Sequence, residues 1–251
     1  MWDGDSVMCV YCMGVSIEPP GPGGDRRRTA GLAQAGSAAS RVAADWSKAP
    51  DVCARVIIGI AVPDTEMACC ASRIMRISGT PSLYNHCVRT FLLGMFDAGR
   101  RQLQVDEEVV FISSMLHGLA LTEPRHGDPR KSFEENSADF ARTFVLEGGF
   151  SPARAEKVAR GILRHADRTP DPDPDVAVVM TGAAQDVYGP APDELSRGQM
   201  QAIETEVPRL DFRRSFVSTL KEHVARTETP TWTAGFVQTP PADFYDNRWS
   251  E

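Results

Sequence analysis

Residues 151–165, SPARAEKVARGILRH, set Ala155, Val158, Ala159, Ile162 and Leu163 at three- and four-residue intervals. That spacing lines one face of a 3.6-residue turn, so the segment predicts an amphipathic helix with a buried stripe. Ser151 stands where a hydroxyl can cap the first amides, and Pro152 takes the first turn, where a missing N–H costs nothing. The same signals recur on both sides. Residues 64–77 put Met67, Cys70, Ala71, Ile74 and Ile77 at helical spacing, and 81–98 open on a proline. Residues 106–117 carry acids in the first turn above Val109, Ile112 and Leu116, and 133–147 stop at Gly148-Gly149. Residues 175–187 repeat the stripe with Val176, Val179, Met180, Ala183 and Val187, and patterned segments continue to Thr227. The run VIIGIAVP at 56–63 reads as a strand or an extended buried lead-in. About seven helices and hardly any strand imply an all-α bundle.

Around this core the chain changes character. Residues 18–45 are dense in Pro, Gly, Ala and Ser and hold almost no large apolar side chain to offset the entropy of ordering. The expected division is therefore a flexible, disordered leader at 1–50, the helical domain at 51–236, and a C-terminal tail at 237–251. Arg26, Arg27 and Arg28 read as a solvated charge cluster, and Cys9-x-x-Cys12 lacks the second pair of a zinc ribbon. The formal charge of −7 argues against nucleic acid or anionic lipid as the partner, and no apolar run is long enough to span a bilayer. The six cysteines lack the spacing of a disulfide framework, and acids rather than basic residues precede the apolar stretch 7–17, so reduced thiols and the cytoplasm are expected. A small-molecule partner fits this composition best.

Only five histidines occur, which makes their placement informative. His86 faces the inner side of its helix, His117 closes the 106–117 helix, and His165 follows Ile162 by three residues. Asp186 follows Ala183 by three. Four metal-competent groups from four helices thus border buried stripes and point towards one interior. Each alone has an ordinary structural explanation, as a dipole-paired helix end or a satisfied core residue.

In order along the chain, SLYNHCVRT (82–90), FISSMLHGLAL (111–121), SFEENSADFAR (132–142), ILRH (162–165), GAAQDVYG (182–189) and VPRLDFRRSF (207–216) resemble the cyanamide-hydratase-like branch of the HD-domain superfamily. The resemblance covers about residues 61–236. It implies an HD-like helical bundle holding a divalent metal, with zinc first and iron or manganese as alternatives, on the positions His86, His117 and Asp186. It also implies that His165 and the Phe133-Glu134 segment form the pocket, His165 shuttling protons or orienting substrate nitrogen and Glu134 holding a polar substrate group.

One departure matters. Where the family has a His-Asp pair, this chain has His117-Gly118, and glycine cannot ligate. Glu123, His126 or Asp128 in the following loop are the nearest replacements, though exposed loop charges ordinarily stay in solvent. Catalytic zinc sites commonly use three protein ligands, so His86, His117 and Asp186 still form a possible set, held less firmly. Two expectations follow from the resemblance: a metal-dependent hydratase or hydrolase of a small cyanamide- or nitrile-like molecule, or a metal-poor relative serving as a small-molecule binding or assembly module. A redirected enzyme of a specialised pathway is a variant of the first.

Overall fold

The computed structural model describes residues 51–122, 127–228 and 231–250. The leader, the triple arginine, Cys9, Cys12, Glu123 and His126 lie outside the described residues. The chain enters through a small antiparallel hairpin, β1 (Val56–Ile57) and β2 (Ile60–Ala61), which resolves the apolar run at 56–63. Its turn uses Ile58 and Gly59, both with positive φ.

Ten α-helices follow among the described residues: α1 (Glu66–Ser78), α2 (Pro81–Arg101), α3 (Glu107–Leu116), α4 (Phe133–Glu147), α5 (Pro152–Arg164), α6 (Pro174–Tyr188), α7 (Arg197–Glu206), α8 (Phe212–Arg226), α9 (Trp232–Gln238) and α10 (Ala242–Tyr245). Their starts are fixed by local chemistry. Thr65, Thr80, Asp106, Ser151 and Asp173 each accept an amide N–H from the first turn. Ser132 and Ser196 do so within full capping boxes completed by Glu135 and Gln199. Eight of these helices, against about seven expected, lie between Glu66 and Arg226, and α9 and α10 are additional.

Helix α3 sits at the centre. Val109, Val110, Phe111, Ile112, Met115 and Leu116 are all essentially inaccessible, so this helix is buried all round rather than on the one expected face. Two stripe positions fall outside the core: Leu163 is 46% exposed and Ile77 is 60% exposed. Each lies near the C-terminal end of its helix; in α5 the chain is still covered two residues further on, where His165 is buried, so Leu163 sits at an edge of the stripe. The residues expected as a tail are packed instead. Phe244 is fully buried, and Trp249 donates its indole N–H to the carbonyl of Gln185 at 2.7 Å. Cys53, Cys69, Cys70 and Cys87 are in the reduced state. No helix among the described residues is long and apolar enough to cross a membrane.

Helix α2 packs most extensively against α6. A Cβ on Gly182 would stand 2.0 Å from the carbonyl oxygen of Thr90, and one on Gly94 would stand 2.6 Å from that of Val178. Backbone therefore meets backbone, which any larger residue would prevent. This approach brings His86 on α2 opposite Asp186 on α6. Gly182→Ala is expected to cost about 2–3 kcal/mol, because the obstructing atoms are main chain and cannot rotate away. Urea denaturation followed by circular dichroism would measure it; a loss below about 0.5 kcal/mol, the size of an ordinary surface change, would contradict this packing.

Candidate functional site

Four helices deliver the site. His86 comes from the second turn of α2, His117 from the residue that ends α3, His165 from the residue that ends α5, and Asp186 from the last turn of α6. All four are at least nine-tenths buried. The sequence-predicted residues are thus brought together, but in unequal roles.

Asp186 is a hub of ion pairs. Its Oδ1 accepts from Arg89 Nε at 2.6 Å and from Arg209 Nη1 at 3.0 Å. Its Oδ2 accepts from Arg89 Nη2 at 2.9 Å and lies 2.7 Å from His86 Nδ1. A carboxylate offers about four lone-pair positions, and here all are taken. Burial alone would raise this carboxyl, but the Arg89 and Arg209 guanidiniums outweigh it and hold it far below the usual carboxylate range. Arg89 is itself fully buried and spends Nη1 on the carbonyls of Val207 and Pro208. Arg209 stacks over Phe212 at 4.9 Å, and that same ring lies face to face with His86 at 4.7 Å.

The imidazoles share one orientation rule. An ionised carboxylate can only accept, so His86 carries its proton on Nδ1. His117 Nδ1 lies 2.7 Å from the Ser114 carbonyl and His165 Nδ1 lies 2.7 Å from the Ile162 carbonyl, so these rings are protonated at Nδ1 as well. Burial pushes all three below the ordinary histidine range. For His117 the neighbouring His165 and His86 push further, while Asp186 partly opposes the shift on His86 and Glu134 that on His165. Neutral rings with Nδ1–H leave Nε2 bare. His86 Nε2 and His117 Nε2 face each other at 3.0 Å, and the His165 ring centre is 4.6 Å from that of His117.

These rings line one wall of a cavity of about 820 Å³. Gly118 and Phe133 line it too, whereas Asp186 lies behind His86 and does not. Glu134 is 5% exposed and sits beside that wall: its Oε1 accepts the indole N–H of Trp232, and its Oε2 has no partner. Asp128, one of the loop acids, pairs with Arg130 at 2.6 Å outside the site.

A divalent metal on His86, His117 and Asp186 meets an obstacle in this donor set. Asp186 has no lone pair left, and two guanidiniums leave its surroundings net positive. Among the described residues no three His, Cys, Asp or Glu side chains stand as a ready ligand cage. What does fit a cation is the opposed pair of Nε2 atoms, with His165 beside it. Two bare lone pairs at this separation repel each other unless a cation or a proton lies between them.

Arg89, Arg209, Phe212 and Trp232 were not singled out from the sequence. Arg89 carried a signal, since it falls one helical turn after His86 on the same face; the others come from segments distant in sequence. The chain matches no protein-family model and no curated protein.

Proposed function

We propose that the imidazole cluster seats a divalent cation, zinc before iron or manganese, and that the adjoining cavity takes a nitrogenous molecule for hydration or hydrolysis of a C–N function. The observation that carries this reading is the His86–His117 pair, whose bare Nε2 atoms oppose each other at 3.0 Å with both Nδ1 protons committed elsewhere. Resemblance to the cyanamide-hydratase-like branch points the same way. A metal held by His86 and His117, with His165 as the third nitrogen or as a proton carrier, would lower the pKa of a bound water from 15.7 to about 7.

The chain's own groups do the rest. Asp186 orients His86 through Nδ1 and strengthens it as a donor, the arrangement commonly found behind metal-bound histidines. Phe212 stacks on His86 and keeps water from that face. His165, fixed by the Ile162 carbonyl, holds or accepts a proton at Nε2. Glu134 is not among the residues that line the cavity and instead holds the indole of Trp232, which is.

A second reading is favoured by the saturation of Asp186 and by Gly118: a metal-poor relative that keeps the cavity as a binding or assembly module. Elemental analysis separates the two. Protein purified without chelator and supplemented with zinc is expected to carry close to one equivalent, and His86→Ala is expected to lower occupancy by at least about tenfold, since even orienting partners are worth about 10–100-fold. Metal content near zero after supplementation would remove the metal-dependent reading and leave the second.

A further inference from the structure

We propose that the occupant of the cavity is an extended molecule with an aryl or comparably apolar body and a nitrogen-bearing head, not a nitrogenous compound of a few atoms. The inference rests on reading the cavity as the substrate site and specifies what that site accepts.

Volume is the first argument. A molecule of three heavy atoms displaces two or three waters, on the order of 100 Å³ at about 30 Å³ per water. The cavity measures about 820 Å³, within the range of roughly 300–1,000 Å³ typical of sites for much larger ligands. A cyanamide-sized molecule would leave most of it filled with water against apolar walls.

The walls are the second argument. Phe133, Phe216, Trp232 and Phe236 line the cavity together with Leu83 and Met180. Trp232 lies 5.7 Å from Phe236 and 6.2 Å from Phe133, Phe216 lies 6.1 Å from Phe236, and two of these contacts are edge-to-face. Such a wall offers ring faces and edges to a flat apolar body. Trp232 is 43% exposed despite its size, so part of its surface is available to a ligand.

The imidazoles adjoin the aromatic wall, and Arg101, Asp167, Arg168, Asp171 and Asp243 also line the cavity. His86 lies 6.0 Å from Phe216 and His165 lies 5.7 Å from Phe133, so the imidazoles and the aromatic rings are neighbours on one lining. The imidazole end takes the nitrogen-bearing head, directly or through the cation seated there, and the adjoining aromatic rings take the body. Helix α6 keeps the route between them open, because its cavity-facing positions include the small residues Ala177 and Ala184.

The test uses the full chain, both metal-stripped and zinc-supplemented, with cyanamide, benzonitrile and biphenyl-4-carbonitrile as probes, followed by calorimetry and tryptophan fluorescence. Biphenyl-4-carbonitrile is expected to bind about 100-fold more tightly than cyanamide, since each buried ring contributes about 1.5–3 kcal/mol, or roughly 10–150-fold. Ala184→Trp and Ala177→Trp fill the cavity from partly exposed positions and are expected to weaken biphenyl-4-carbonitrile at least tenfold with the melting temperature unchanged. Equal affinity for the large and small probes, or unchanged binding in both variants, would overturn the proposal. Size-dependent binding by protein that takes up no zinc would support it while removing the metal-dependent reading.

Discussion

Asp186→Ala is expected to destabilise the protein by about 3–5 kcal/mol, the cost of leaving buried charge without its partner. Arg89 and Arg209 converge on this one carboxylate from α2 and from the loop before α8, and both guanidiniums are within the core. Neither can turn to solvent, and Arg89 already spends its remaining amino group on two main-chain carbonyls. Removing the acid therefore strands two cations at once. For a domain of this size, about 2–4 °C per kcal/mol translates the loss into a melting temperature lower by roughly 6–20 °C. Asp186→Asn should recover only part of this, because the amide keeps the volume and one acceptor but not the charge. Asp128→Ala is the control: its partner Arg130 is exposed, and no measurable change is expected. Urea denaturation of the three variants at neutral pH measures the series. A loss below about 1 kcal/mol for Asp186→Ala, the size of an exposed pair, would mean that the two arginines find other partners and that Asp186 is not the hub described above.

This role was not legible in the sequence, for a physical reason. Asp186 stood out as a polar residue bordering an apolar stripe, which marks an inward-facing acid equally well as a ligand or as an ion-pair partner. The distinction depends on Arg89 and Arg209, and their distance to Asp186 is set by the close approach of α2 and α6 at Gly94 and Gly182. Nothing in either helix's own periodicity announces that approach. Helix type, by contrast, is readable, as is the cap at Ser151, because a hydroxyl at a helix start acts on amides two or three residues away. The stripe of α5 was right at Ala155, Val158, Ala159 and Ile162, and failed at Leu163. Periodicity gives a direction around the axis but not how wide a face the neighbouring helices cover, and His165, two residues further on, is buried where Leu163 is not. The C-terminal segment escaped for a related reason: Trp232, Phe236, Phe244 and Trp249 lie in short pieces broken by prolines, too brief to show a period. Phe236 packs against Phe216 of α8 and against Phe244, Trp249 packs with Leu93, Leu195, Met200 and Ile203, and Trp232 stays 43% exposed.

Gly118→Asp is expected to tighten zinc binding by at least about 10–100-fold, since restoring an anion next to the metal should exceed what orienting partners alone contribute. The position can receive the side chain. Gly118 has φ −98° and ψ 9°, an ordinary conformation for an L-residue, and an added Cβ would meet only the Leu83 methyl at 3.4 Å. It also lines the cavity beside His86 and His117, on the opposite side of His86 from the saturated Asp186. Electrostatics sets the sign. Two neutral imidazoles leave a divalent ion's charge uncompensated above a net positive Asp186–Arg89–Arg209 cluster, and a carboxylate there supplies the missing compensation. The cost is modest: an acid just beyond the C-terminal end of α3 opposes the helix dipole by about 0.3–1 kcal/mol, so folding should survive. Competition against a colorimetric zinc chelator compares the two proteins directly, and introducing His86→Ala into the Gly118→Asp background should erase the gain. If zinc affinity does not rise, or if the gain persists without His86, the imidazole pair is not the cation seat, and its bare nitrogens serve the cavity as acceptors for an N–H donor.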